Sequence, residues 1–289
     1  MSAERIGVRK TYKLAIGGAF PRSESGRTYV VTDTSGQFLA NVACASRKDV
    51  RDAVVAARRA QPGWAAATPY NRGQVLYRAA EMVEGRRDQF VDLVSLGETT
   101  TAEAAGRVVD LTVDRLVWYA GWADKVAQVA GAVNPVAGPY FTFSVPQPSG
   151  VVGVVAPQES SLLGFVSVVA AVVVTGNTAV VLASEAHPLP AVTLAETLAT
   201  SDVPGGVVNV LTGRLTDTLP TLAAHRDVDG LDLCGAPPDL ATSAEHAAAD
   251  HVTRVLRPSA GDPGWSEVPT PKRMLSFVET KTVWHPMGI

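Results

Sequence analysis

The feature that most constrains the fold is a regular alternation of apolar strands and helix-length segments, which begins at Gly150. Each strand is apolar throughout, which is typical of parallel strands that are covered by helices on both faces. Strands separated by helical segments of about 10–15 residues indicate βαβ units. We therefore predict a doubly wound, Rossmann-like α/β layer over residues 151–257, which can hold a ligand beyond the carboxyl ends of its strands. The strands are GVVGVVAP, TAVVLAS, GVVNVLTG, VDGLDLCG and a weaker HVTRVLRP.

The preceding part of the chain, residues 1–139, predicts a hairpin followed by helices. Two alternating runs near the amino end are separated by a Ser35-Gly36 turn, as expected of paired strands. The segment Ser46–Asp49 fits a capping box at the start of one helix, and Thr68-Pro69 fits the start of a second. A third helical stretch is predicted over about residues 100–129.

Three shorter segments complete the predicted organisation. Residues 140–150, YFTFSVPQPSG, are expected to be extended, but their two prolines, Pro146 and Pro148, should bar continuous strand pairing. Residues 258–276 are rich in proline and glycine and lack periodicity, which indicates a linker or loop. Residues 277–289 begin with an alternating run and are predicted to form a terminal β-strand.

The stretch Ser160–Ser184 has no charged residue and is long enough to raise the question of a membrane span. Because Gly176, Asn177 and Thr178 interrupt it, we interpret it as a buried helix, a tight turn and a buried strand. No membrane association is therefore expected.

Composition excludes several other classes of protein. The chain carries 25 Lys and Arg against 28 Asp and Glu, and this balance argues against binding to nucleic acid or to an anionic membrane. Two cysteines are too few for a disulfide framework, and the amino terminus has no apolar signal region. We predict a soluble, cytoplasmic protein.

Five stretches of the chain resemble the NAD(P)-dependent aldehyde dehydrogenases, and together they cover residues 14 to about 257 and 277–285. The resemblance implies a cofactor-binding-type domain with N-terminal helices and a small β oligomerisation arm, which residues 140–150 and the C-terminal strand would form. The stretches are SRKDVRDAVVAARRAQPGW, WYAGWADKVAQVAG, PQPSGVVGVVAP, SEAHPLPAVTLAETLATSDVPGGVVNVLTG and ETKTVW.

The residues that carry the family's chemistry are missing at the matching positions. That chemistry uses a cysteine thiolate, a glutamate base and an amide donor for the oxyanion. Glu159 stands in the place of the family's oxyanion asparagine, where a carboxylate would repel the developing negative charge. The stretch 255–258 replaces the glutamate-bearing motif, and the linker 258–276 stands where the resemblance places the whole catalytic domain. We therefore predict no catalytic residue and expect that the chain is not an enzyme on its own.

The remaining cysteines and histidines give no alternative active site. Cys234 is interpreted as a small apolar residue at a strand end, and Cys44 as a structural residue of the N-terminal hairpin. His246 and His251 are five residues apart, which is the wrong spacing for one helical face, so no metal site is predicted.

The cofactor-binding positions that the resemblance implies are partly retained. Glu185 matches the glutamate of the family's ribose-binding Lys-Pro-Ser-Glu turn, whereas Leu182 replaces its lysine. Gly213 is retained after the third strand, and Gly235 is retained in the phosphate-side turn, where Ala236 replaces a serine. Losing a lysine and a hydroxyl removes hydrogen bonds of roughly 0.5–3 kcal/mol each. We therefore expect a vestigial site without a bound cofactor, although NAD or NADP stays possible.

The resemblance implies that the arm pairs with the catalytic domain of a neighbouring subunit. A homodimer of this chain would leave strand edges unpaired and an apolar face of the Rossmann-like layer uncovered. The favoured hypothesis is therefore a non-catalytic subunit that assembles with, and stabilises or regulates, a full-length aldehyde dehydrogenase through residues 140–150 and 277–285. Two alternatives are a cofactor-binding component of an aldehyde-oxidising complex and an NAD-sensing or scaffold module unrelated to aldehydes.

Overall fold

The computed structural model describes residues 9–33, 35–98, 100–258 and 264–288. Its amino-terminal part contains a small three-stranded sheet followed by five helices, where the sequence predicts a hairpin and three helical segments. These elements are β1 (Thr11–Tyr12), β2 (Thr28–Thr32), β3 (Phe38–Ala43), α1 (Arg47–Ala66), α2 (Pro69–Glu84), α3 (Arg87–Gly97), α4 (Ala102–Trp122) and α5 (Val126–Ala130).

The rest of the described chain begins with two arm strands and continues through the alternating layer. A short helix and a long strand follow at the carboxyl end. The elements are β4 (Ala132–Val133), β5 (Tyr140–Pro148), β6 (Val151–Val155), α6 (Leu163–Val173), β7 (Thr178–Leu182), α7 (Leu189–Leu198), β8 (Val208–Leu211), α8 (Leu215–Ala223), β9 (Gly230–Asp232), α9 (Pro238–Ala249), β10 (Arg254–Leu256), α10 (Lys272–Leu275) and β11 (Val278–Pro286).

The central sheet confirms the doubly wound α/β fold. Its five strands run parallel in the order β10-β9-β6-β7-β8. Helices α6 and α7 pack on one face together with α2–α4, whereas α1, α8 and α9 pack on the other face. Because both faces are covered, β6 and β7 are buried along their whole length, as their continuous apolar sequences indicate.

The uncharged stretch Ser160–Ser184 forms α6, a turn and β7, as predicted. The turn uses Gly176, whose φ of +95° lies in the region that favours glycine. Asn177 is fully buried, and its side chain accepts a hydrogen bond from Gly150 N and donates to Thr175 Oγ1 and Phe277 O. In the part of the chain that the structure describes, no helix combines the length and apolarity needed to cross a membrane.

Both predicted helix starts are confirmed. The Ser46 side chain accepts hydrogen bonds from Lys48 N and Asp49 N, and the Asp49 carboxylate accepts one from Ser46 N. Thr68 caps α2, and Pro69 is its first residue. These local contacts need no long-range partner, which is why the sequence pattern was sufficient to predict them.

The predicted helix over about residues 100–129 is wrong in one respect, because the stretch forms two helices. The chain leaves α4 after Trp122 and turns before α5 begins at Val126. The change of direction lets Val126 bury its side chain and places α5 against β5 of the arm. The free energy gained from this packing outweighs the propensity of the segment to continue as one helix.

The prediction that two prolines bar continuous pairing of residues 140–150 is also wrong. Strand β5 pairs with β11 without a register shift from Tyr140–Pro286 to Pro148–Val278. Ser149 N donates to Phe277 O, whereas Thr142 O accepts from Asn134 N on the opposite side of β5. Odd-numbered residues of β5 therefore point their backbone groups at β11. Pro146 and Pro148 are even-numbered, so the N–H that each lacks is not needed by the β11 ladder.

The segment predicted as a linker, residues 258–276, contains helix α10, and part of it covers the apolar face that was expected to be open. Residues 259–263 lie outside the described residues, and we refer to residues 264–277 as the covering segment. Met274 and Phe277 are completely buried, and α10 packs on α6. A Cβ on Gly230 would lie 2.8 Å from the Phe277 ring, so the glycine leaves room for that ring. This covering could not be predicted because the segment shows no periodicity.

Candidate functional site

The carboxyl edge of the parallel sheet is the first candidate site. The chain forms β6, β7 and β8 outward in one direction and then crosses back to place β9 and β10 on the other side of β6. Ligands of such sheets bind outside the carboxyl ends of the strands, where the order reverses. The structure brings Glu185, Gly213 and Gly235 to this edge, because they follow β7, β8 and β9.

Glu185 is held by the protein's own backbone. Its Oε1 accepts a hydrogen bond from Leu215 N at 2.5 Å, and Leu215 is the first residue of α8. Its own N–H donates to Gln158 Oε1 at 3.0 Å, while Ser184 Oγ donates to Gln158 O at 2.8 Å. The carboxylate thus satisfies a free N–H at the start of α8 and complements the positive end of that helix.

Gly213 accommodates a close contact with the connection between β3 and α1. Its φ is +135°, and a Cβ at this position would lie 3.0 Å from Ala45 N. The neighbouring Thr212 O accepts a hydrogen bond from Ala45 N at 2.8 Å. The space beside this glycine is therefore filled by the chain itself.

Gly235 follows β9 and contacts the carboxyl end of β6. Its N–H donates to Val155 O at 3.0 Å, and a Cβ here would lie 1.8 Å from Ala156 O. No side chain fits in that space, so glycine is required for the turn. The close approach serves contact between two strand ends.

These residues do not fit an NAD(P) adenosine and pyrophosphate. Leu182, in the position of the family's lysine, is buried, and Ala236 offers no side-chain donor. One oxygen of Glu185 already accepts a hydrogen bond from the first residue of α8, and both glycines lie against the protein's own backbone. The assignment of Glu185, Gly213 and Gly235 as vestigial cofactor residues stays a prediction.

The Gln158 and Ser161 side chains of the turn after β6 form hydrogen bonds with the chain itself. Glu159 is exposed to solvent. Gln158 uses its Nε2 to donate to Ala156 O and its Oε1 to accept from Glu185 N. Ser161 donates through both N and Oγ to Glu98 Oε1, each at 2.6 Å. Glu98 was not predicted from the sequence, and no local pattern could have identified it because its partner lies 63 residues away.

Cys234 lacks the properties of a catalytic nucleophile. Burial, together with the charge of the nearby Asp232 carboxylate, raises the pKa of its thiol to about 11, against the opposing effect of Arg273. A reactive cysteine needs a lowered pKa so that the thiolate is present at neutral pH. Cys44 is half-buried and unbridged. Among the residues that the structure describes, no group of three or more His, Cys, Asp or Glu side chains could hold a metal ion.

A buried charged cluster anchors the covering segment beside Cys234. Asp232, the last residue of β9, is completely buried and pairs with Arg273 of α10. Burial raises the pKa of Asp232, while the charge and the hydrogen bond of Arg273 oppose the rise. This pair was not predicted from the sequence, although an aspartate within the apolar strand VDGLDLCG was a signal that a cation must cover it.

A second arginine joins this cluster from α4. Arg115 donates to Ser167 Oγ at 2.6 Å and to the backbone oxygens of Trp265 and Glu267 at 2.6 and 2.8 Å. The Arg273 guanidinium lies 5.5 Å from the Trp265 ring centroid. These contacts connect α4, α6 and the covering segment, so the cluster serves to hold that segment against the sheet.

The arm is the second candidate site. Its three strands lie in the order β11-β5-β4, so β11 is an edge strand. Phe277 O and Met287 N face β5, which directs the backbone groups of the even-numbered residues of β11 outward. Thr280, Thr282 and Trp284 therefore present N–H and C=O groups along the outer edge, and Pro286 ends this donor series.

Exposed apolar side chains accompany this edge. Trp284 is 58% exposed and contacts Tyr140 edge-on, with ring centroids 5.7 Å apart. Phe141 is 46% exposed on the opposite face of the sheet, and Val133 is 69% exposed. Exposed aromatic residues beside an unpaired strand edge are typical of surfaces that bind another protein.

The parallel five-stranded sheet, the helices on its two faces and the antiparallel arm define a doubly wound, Rossmann-like α/β protein. Comparison with known proteins identifies the family within this fold class. A sequence profile described as "Aldehyde dehydrogenase family" matches residues 20–261. The chain belongs to the aldehyde dehydrogenase family.

Individual relatives match most of this chain. The putative aldehyde dehydrogenase DhaS of Bacillus subtilis is 32% identical over 254 residues, which are 85% of this chain and 50% of that protein. The benzaldehyde dehydrogenase of Antirrhinum majus mitochondria is 31% identical over 228 residues, or 78% of this chain and 42% of that protein. The chain thus spans about half the length, or less, of these relatives.

Solved structures agree with the sequence comparison. HpcC of Thermus thermophilus matches with a TM-score of 0.81 and 28% identity over 85% of this chain and 47% of that one. An aldehyde dehydrogenase of Bacillus cereus in complex with NAD⁺ matches with a TM-score of 0.79 and 25% identity over 85% of this chain and 50% of that one. The fold predicted from the alternating sequence and the family predicted from the five stretches are both confirmed.

Proposed function

We propose that this chain is a non-catalytic aldehyde-dehydrogenase-like subunit of the cytoplasm. It assembles with a full-length NAD(P)-dependent aldehyde dehydrogenase and stabilises or regulates that enzyme. Residues 140–150 and 277–285 form the contact surface. The observation that carries the proposal is the outer edge of β11, where Thr280, Thr282 and Trp284 present unpaired backbone groups beside exposed aromatic rings.

A strand of the partner would pair with this edge by β-augmentation. Main-chain hydrogen bonds would supply affinity, and the alternating side chains of β11 would supply specificity. Trp284 and Tyr140 would bury their rings against the partner, because large aromatic residues are enriched at such contacts.

The proposed role includes no active site. The reason is the chemistry of the residues that stand where the family has its catalytic groups. Glu159 would oppose an oxyanion, and the high pKa of Cys234 keeps its thiol protonated at neutral pH. Between β10 and β11 only residues 257–277 connect the two elements, which is too short for another domain. Oxidation of an aldehyde would therefore take place on the partner subunit.

Co-expression with the full-length aldehyde dehydrogenases of the same organism tests the proposal. We expect a hetero-oligomer of defined mass by size-exclusion chromatography with light scattering and by native mass spectrometry. A homo-oligomer that ignores every such partner would contradict the proposal.

A matched pair of variants tests the strand edge itself. Thr280→Pro removes an outward N–H without removing a hydrogen bond from the β5 ladder, so it should abolish assembly. Thr280→Val keeps the N–H and should assemble like the wild type. Equal assembly of both variants would exclude β11 as the contact edge.

Calorimetry with NAD and NADP separates the proposal from a cofactor-binding role. We expect no heat of binding to the isolated chain, because the polar atoms around Glu185 are bound to the chain itself. Saturable binding that Glu185→Ala abolishes would instead favour a cofactor-binding component of an aldehyde-oxidising complex.

A further inference from the structure

An open cavity of about 440 Å³ lies beside the first turn of α1, away from both the arm and the covering segment. Four cationic side chains line it, and all four are exposed. Within the described residues none of them forms an ion pair, and the only side-chain hydrogen bond among them joins Arg27 Nε to Ser25 Oγ at 3.4 Å. We call this the basic pocket, and its cations are Arg27, Arg47, Lys48 and Arg51.

The cations of the basic pocket are unfavourably placed in the absence of an anion. Arg47 and Lys48 are the first two residues of α1, where the helix dipole is positive, and Arg51 follows Arg47 at a spacing that brings like charges together. By contrast, Arg58 of the same helix pairs with Asp229 at 2.6 Å. The arrangement costs helix stability that a bound anion would restore.

Nearby carboxylates do not neutralise these charges. Asp49 is buried, and its oxygens accept hydrogen bonds from Ser23 Oγ and from the backbone N–H groups of Glu24 and Ser46. Glu24 accepts a hydrogen bond from Ser46 Oγ at 2.9 Å. Asp217 of α8 also lines the pocket, so two carboxylates face four cations there.

The positive field of the pocket extends to a neighbouring histidine. Burial lowers the pKa of His225, and the charges of Arg51 and Arg58 lower it further against the opposing effect of Asp227. The largest of these charge effects is that of Asp227, and Arg51 is the cation of the basic pocket that acts on His225.

The chemistry of the cluster selects one class of ligand. Three of its four cations are arginines, whose planar guanidinium groups bind phosphate oxygens in pairs. The cavity volume falls in the range of small-molecule sites. We propose that the basic pocket binds a small ligand that carries phosphate groups, by ion pairs from Arg47, Lys48 and Arg51.

Titration of the full chain with sodium pyrophosphate at low ionic strength tests this site. We expect saturable one-to-one binding by calorimetry, and a loss of affinity of at least about tenfold in the double variant Arg47→Glu/Arg51→Glu. Arg59→Glu is the matched control, because Arg59 lies in the same helix, is exposed and does not line the pocket. It should change the affinity by less than about twofold.

Thermal unfolding of the same variants separates loss of a ligand site from loss of structure. Acidic residues at the start of a helix are favourable, so the double variant should melt no lower than the wild type while its binding is lost. The absence of saturable pyrophosphate binding to the wild type, or an equal loss of affinity in Arg59→Glu, would overturn the proposal.

Discussion

The central sheet and the arm differ in how completely their strands are covered. Strands β6 and β7 are buried along their whole length, and the covering segment closes the remaining face with Met274 and Phe277. In the arm, β11 pairs on only one side with a strand of the described chain, and Trp284 is 58% exposed. Among the described residues, the layer is therefore covered on both faces, whereas the arm leaves one strand edge exposed.

The largest expected effect comes from breaking the charged cluster beneath the covering segment. Arg273→Ala leaves Asp232 buried without its partner and should reduce the free energy of unfolding by about 3–5 kcal/mol in urea denaturation. The double variant Asp232→Leu/Arg273→Met removes both charges and should recover most of this loss. If Arg273→Ala is as stable as the wild type, the cluster does not hold the segment.

The reactivity of Cys234 measures how closed this region is. With a pKa of about 11, its thiolate population at pH 8 should be about two orders of magnitude below that of an ordinary exposed cysteine. A Cys44→Ser variant leaves Cys234 as the sole thiol for alkylation by iodoacetamide. The rate should rise as the pH approaches 11, and fast alkylation at pH 8 would show that the segment opens readily.

A smaller effect is expected at the carboxyl edge of the sheet. Glu185→Ala removes the acceptor for Leu215 N at the start of α8 and should cost about 0.5–2 kcal/mol of stability. Glu185→Gln keeps an acceptor oxygen without the charge and should lose less. Chemical denaturation measures both, and unchanged stability of Glu185→Ala would mean that the carboxylate does not cap α8.

The smallest effect on folding is expected in the arm. Trp284→Ser should change the stability of the isolated chain by less than about 1 kcal/mol, because the ring is mostly exposed. The same substitution should weaken assembly with a full-length aldehyde dehydrogenase strongly, since aromatic anchors dominate such contacts. A large loss of stability without loss of assembly would mean that Trp284 serves folding and not the contact with a partner.

Much of the fold could be predicted because its signals are local. Apolar strands separated by helical segments indicated the parallel sheet, and Ser46 and Thr68 marked two helix starts through contacts within one turn. The candidate site could be predicted less completely. Glu185, Gly213 and Gly235 follow strands of the sheet, as the sequence indicated, but their contacts with Leu215, Ala45 and Ala156 join residues that are distant in the chain.

The sequence by itself determined the strand order along the chain, the class of fold and the family, because periodicity and motif spacing are properties of the chain. Only the tertiary structure decided that Pro146 and Pro148 fit a continuous ladder, since this depends on which side of β5 faces β11. It also decided that residues 264–277 cover the sheet, because Asp232, Arg115 and Arg273 meet only after the chain has folded. Long-range contacts of this kind leave no periodic pattern in the sequence.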